Sequence, residues 1–141
     1  MATPFVSPDL FEIVVKYAQV KLKSGLGAII VIKDDEQEKK YKDKVHTLKS
    51  QWMQPNWKEH NDLHSDSLVM DDVAGVKVPD YNIYRQLVLE RFMKLWDVMD
   101  EKGNPSTINK ETLSKLDPSI AIALYDAWNK KINAQEEDVG N

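Results

Sequence analysis

The chain has 141 residues, 42% of them hydrophobic and 30% charged, a formal net charge of −4 and no cysteine. That length serves one domain and buries about two-thirds of the unfolded surface, so no disulfide or metal staple is required. The charge balance excludes a chain built mainly to coat nucleic acid, and the missing cysteine excludes disulfide frameworks, thiol nucleophiles and thiolate metal sites.

The first element predicted is a helix over about 8–23. Ser7 is a good N-cap and Pro8 fits the first helical position. Leu10, Phe11, Val14, Val15, Ala18 and Leu22 follow at helical spacing, and Gly25 and Gly27 stop the element. The β-branched content makes a strand the alternative for Ile13 to Val15. Ala28 to Ile32 is a short branched apolar run and reads as a buried strand. Asp34-Asp35 then offers a cap for a helix over about 35–53, with Tyr41, Val45, Leu48 and Trp52 on one face and Pro55 as its end. Acid precedes base at i,i+4 in Asp35/Lys39, Glu36/Lys40 and Glu38/Lys42, which favours that helix.

Periodicity fails over 55–79, a region expected to be a long loop, with Val69, Met70, Val73, Val76 and Val78 placed to form a short hairpin around Gly75. After Pro79-Asp80 the strongest helix begins, with a broad stripe from Ile83 and Tyr84 through Leu87, Val88, Phe92, Leu95 and Trp96 to Met99. Gly103-Asn104-Pro105 breaks it. Asn109 caps a short helix through Leu116, and Asp117-Pro118 opens a last helix carrying Ile120, Leu124, Tyr125, Trp128 and Ile132. The acidic tail, 134–141, is expected to fray. The fold class expected is therefore mostly α: a single domain of about four helices, with a short strand or hairpin as its only β structure. No apolar run approaches the ~20 residues of a membrane span. The opening residues lack the basic flank and apolar core of a signal peptide.

Chemistry-bearing clusters are few. His60 and His64 would share a face only on a helix, and Glu59 belongs to no His-Glu-x-x-His motif, so a polar loop is the simpler reading. Asp97 to Glu111 fails as a calcium loop in either register: Met99 and Ile108, or Lys102 and Pro105, stand where oxygen ligands or glycine are needed. Gly25-Leu26-Gly27 lacks the rest of a phosphate-loop pattern. No serine sits in a nucleophile elbow, and no carboxylate pair is placed in an identifiable cleft. Only two arginines occur, Arg85 and Arg91, which is poor provision for reading phosphates or bases. Residues 39–49 hold five lysines, while 59–72 hold five acids and no lysine or arginine, an asymmetry that suits a contact between the two segments or one with partners. The expectation is a chain with no enzymatic activity, no cofactor and no metal, binding neither nucleic acid nor membrane.

Trp96 and Trp128 are expected in one core with Leu87, Leu95, Leu124 and Ile132. Trp52 and Trp57, flanking Pro55, divide between core packing and an exposed partner anchor.

The run Leu87 to Pro105, with Trp96-Asp97 and Asp100-Glu101-Lys102-Gly103-Asn104-Pro105, and its continuation Ile108 to Pro118, with Glu111-Thr112-Leu113, resembles the C-terminal part of tail assembly chaperones of long-tailed bacteriophages. The resemblance spans roughly Tyr84 to Ile132. It implies a non-enzymatic virion-assembly factor of the host cytoplasm. Such a factor binds the helical tape-measure protein, helps recruit the tail-tube protein and is absent from the finished particle. A holdase of this kind needs an exposed apolar surface, for which the candidates are Trp52, Met53, Trp57, Tyr84, Phe92 and Met93. Self-association is left open. The alternative function is a structural virion component such as a head–tail connector or tail-completion protein. A metal-dependent enzyme using 59–66 ranks far behind.

Overall fold

An eleven-residue strand, β1 (Phe11–Lys21), organises the molecule. Its residues alternate: Ile13 and Val15 are buried while Glu12, Val14 and Lys16 face solvent, the period-2 pattern of a sheet with one covered face. β2 (Gly27–Val31) returns antiparallel beside it, Tyr17 opposite Val31 and Lys21 opposite Gly27, after a turn in which Gly25 takes φ +90°. The structure is a computed structural model and describes residues 3–133. The acidic tail expected at 134–141 lies outside the described residues.

A short helix, α1 (Asp35–Lys40), is capped by Asp34, whose carboxylate accepts from the Gln37 N–H at 2.8 Å. It ends within two turns, and after a single 3₁₀ turn the chain enters β3 (Val45–Trp52). β3 pairs along the other side of β1, with Phe11 opposite Trp52 and Val15 opposite Leu48. Next come α2 (Trp57–Asp66) and a hairpin of β4 (Leu68–Asp71) and β5 (Val76–Pro79). α3 (Tyr81–Phe92) is capped by Asp80. The chain then leaves the helix directly into β6 (Met93–Trp96), which pairs with β3 and completes a sheet of order β2-β1-β3-β6. α4 (Lys110–Ser114) and α5 (Pro118–Ile132) close the chain, capped by Asn109 and Asp117.

The expected mostly α fold is thus corrected. The protein is mixed, 39% helix and 29% strand. The helix predicted over 8–23 is β1, the second half of that predicted over 35–53 is β3, and the loop predicted over 55–79 holds α2 and the hairpin. Leu48 and Trp52 show why the spacing misled: residues four apart share a face in both a helix and a strand. What decides between them is a partner, and β1 supplies it. The strand at 28–32, the hairpin around Gly75, the short helix after Asn109 and the last helix after Asp117 stand where the sequence places them.

α5 lies against β1 and β2, and α3 packs on α2, α4, α5 and β6. One core joins Ile13, Val15, Leu48 and Trp52 of the sheet to Leu63, Val88, Phe92, Leu113, Ile120, Leu124 and Trp128 of the helices. Each such side chain contributes about 1.5–3 kcal/mol by leaving water. Trp128 is fully buried, as expected. Trp96 is only half-buried, its indole N–H donating to the Ser106 carbonyl at 2.7 Å, and Leu95 is exposed because β6 turns it to the outer face of the sheet.

Candidate partner-binding face

Where β3 leaves the sheet, Pro55 prevents further pairing and Asn56 starts α2. The Asn56 side chain accepts from the Glu59 N–H at 2.8 Å, and the Glu59 carboxylate accepts from the Asn56 N–H at 3.2 Å, a complete capping box. That cap fixes the first helical residue, Trp57, with its side chain outward and 79% exposed. The indole stacks on the His60 ring, centroids 6.4 Å apart, one helical turn on. Together they stand at a depression of about 790 Å³ whose walls include Phe5, Val6, Pro55, Tyr84 and Ile132. Lys58 and His60 are its basic groups, and no carboxylate lines it among the described residues.

Lys58 is held by Asp62 at 2.7 Å. The hydrogen bond and charge of Asp62 raise its ammonium pKa above the usual lysine value. Tyr84 forms the inner wall. It contacts Tyr81 and Tyr125 edge to face or tilted, and Tyr125 in turn packs on Trp128. Burial, and next the neighbouring Tyr81, raise the Tyr84 phenol above its ordinary range. The apolar and aromatic part of the depression is therefore backed directly by the core, while Gln54, Asn56, Asn129 and Asn133 add polar groups to its lining.

Of the six residues singled out from the sequence, Trp57 and Tyr84 meet in this depression. Trp52, Phe92 and Met93 do not reach a surface: they are buried in the core beneath it, Trp52 on the inner face of β3 and Phe92 stacked on Trp128. Met53 is partly buried against the same core. Phe5 and Val6 were missed. Their signal was an apolar pair outside any periodic segment, Phe5 being 82% exposed.

His60 and His64 do share a face, since 57–66 is helical, but no cluster of three metal-ligating side chains occurs among the described residues. The three acids of α2 that share a shallow cleft with Arg91 and Lys94 are each engaged structurally: Glu59 in the cap, Asp62 with Lys58, and Asp66 with Arg91 at 2.6 Å. Asp100 spends one carboxylate oxygen on its own turn, accepting from the Lys102 and Asn104 N–H groups at 2.9 Å.

The chain matches no protein-family model, no curated protein and no solved structure.

Among the described residues no helix is long and apolar enough to cross a membrane.

Proposed function

We propose that the protein is a non-enzymatic tail assembly chaperone of a long-tailed bacteriophage, holding a helix of the tape-measure protein against the Trp57 depression. The observation that carries this reading is the outward, capped placement of Trp57 over an apolar surface bounded by Phe5 and Tyr84. An aromatic anchor beside an apolar depression is how a groove takes the apolar face of an amphipathic helix. Lys58, with the His60 ring as a hydrogen-bonding neighbour, suits a helix whose polar face carries acids. The segment with the family resemblance, 84–132, contributes Tyr84 and Ile132 to the same surface.

Co-expression with the tape-measure protein followed by pull-down tests it. Capture by the parent protein, and its loss in Trp57→Ala with unchanged circular dichroism, is the expected result. No capture by the parent overturns the reading. Stoichiometric recovery of the protein in mature particles replaces it with a structural virion component.

A further inference from the structure

The β4–β5 hairpin is an arm whose strands pair only with each other, and a lone two-stranded hairpin is marginal in water. Its tip is nevertheless firmly built. The Asp71 carboxylate accepts from the Val73 and Ala74 N–H groups at 2.9 and 3.1 Å, the Gly75 N–H donates to the Asp71 carbonyl, and Gly75 takes the φ of +71° that the turn demands. At its base the Asp80 N–H donates to the carbonyl of the buried Ser67. This geometry holds Val73 100% exposed, with Met70 and Val76 more than half exposed beside it. Asp72, next to Val73, is exposed and in no salt bridge among the described residues.

The opposite character is found in a groove of about 550 Å³ between α3, α4 and α5. Leu89, Leu113, Pro118 and Ile122 give it an apolar lining, and Arg85 and Lys110 stand at it. No carboxylate lines it, and neither cation is in a salt bridge among the described residues. An apolar tip flanked by acid and an apolar groove flanked by base are complementary in both terms that govern association.

We propose that the hairpin tip of one copy seats Val73 in this groove of a second copy, with Asp72 facing Arg85 and Lys110. The contact joins two different surfaces of the same chain, so it closes by reciprocal exchange of arms or as a ring, or else propagates as an open filament. Its groove shares no lining residue with the Trp57 depression, and the proposal does not depend on the function proposed for that depression.

Sedimentation of the purified chain tests the proposal. The parent is expected to self-associate, less so as salt rises. Val73→Lys and Ile122→Glu should each sediment as monomers. A 1:1 mixture of the two should form heterodimers and stop there, because each pair retains one intact tip and one intact groove. Both positions are exposed, so unchanged circular dichroism is expected. Should Ile122→Glu unfold, Lys110→Glu takes its place. A parent that stays monomeric up to millimolar concentration, a Val73→Lys variant that associates as the parent does, or a mixture that remains monomeric would each overturn the proposal.

Discussion

The Ser50 hydroxyl accepts a hydrogen bond from the Trp52 indole N–H at 2.7 Å, two residues along the same strand face, and donates to the Ile13 carbonyl of the neighbouring strand at 2.9 Å. Both side chains are buried. One small hydroxyl thus satisfies the only polar atom of a large core side chain and ties it across the β1–β3 ladder.

Replacing Ser50 by Ala should strand that indole N–H and cost about 1–3 kcal/mol, the penalty of an unsatisfied buried donor. Urea denaturation of Ser50→Ala checks it. A variant as stable as the parent would show that the hydroxyl is dispensable.

Trp52→Ala and Trp57→Ala should separate cleanly. The first empties a fully buried position and is expected to cost about 3–5 kcal/mol. The second removes an exposed ring and should stay within about 0.5 kcal/mol of the parent while losing capture of the helical partner. Equal melting temperatures for the two variants would contradict this arrangement.

Phe92 and Trp128 stack with centroids 5.5 Å apart and planes 15° apart. Trp128→Ala should destabilise by about 3–5 kcal/mol. Trp96→Phe, which keeps a six-membered ring but loses the bond to Ser106 and part of the indole's packing on the core, is expected to cost about 1–2 kcal/mol. Equilibrium unfolding of both variants gives the ranking.

Alkaline pH should weaken the fold. Burial first, then the Tyr81 hydroxyl, raises the Tyr125 phenol well above its ordinary range, and Tyr84 is raised in the same direction. Above about pH 10 the unfolded phenols ionise while the folded ones stay protonated. The folded state then holds more protons, so stability is complete below that pH and falls as pH rises through the folded values. A melting-temperature series should show the fall, and Tyr125→Phe should flatten it. An unchanged slope in that variant would remove Tyr125 as its source.

Local signals in the sequence were legible where a few adjacent residues settle the structure. Asp117-Pro118 and Asn109 start helices through bonds to their own next N–H groups, and Gly75 turns a hairpin of four residue pairs. α2 was readable in the same way, from Asn56 and Glu59, but its polar surface hid it: Leu63 is its only buried residue. Of the candidate site, Trp57 and Tyr84 were legible as aromatics beside a break or on a stripe. Their union with Phe5 was not, since Phe5 and Tyr84 lie 79 positions apart in the chain.

The sequence by itself determined the caps at Asp34, Asp80, Asn109 and Asp117, the Gly75 turn and the last helix, because these depend on hydrogen bonds between neighbours. Only the tertiary structure decided that 11–21 and 45–52 are strands, that β6 ends a helix without glycine or proline, and that Trp52 belongs to the core. Their apolar residues suit both periods, and a strand's N–H and C=O groups need a partner far along the chain. Once β1 lies between β2 and β3, the extended form satisfies those groups and turns Ile13, Val15, Leu48 and Trp52 to one face. An isolated helix could satisfy its backbone but would have no such sheet to bury them against.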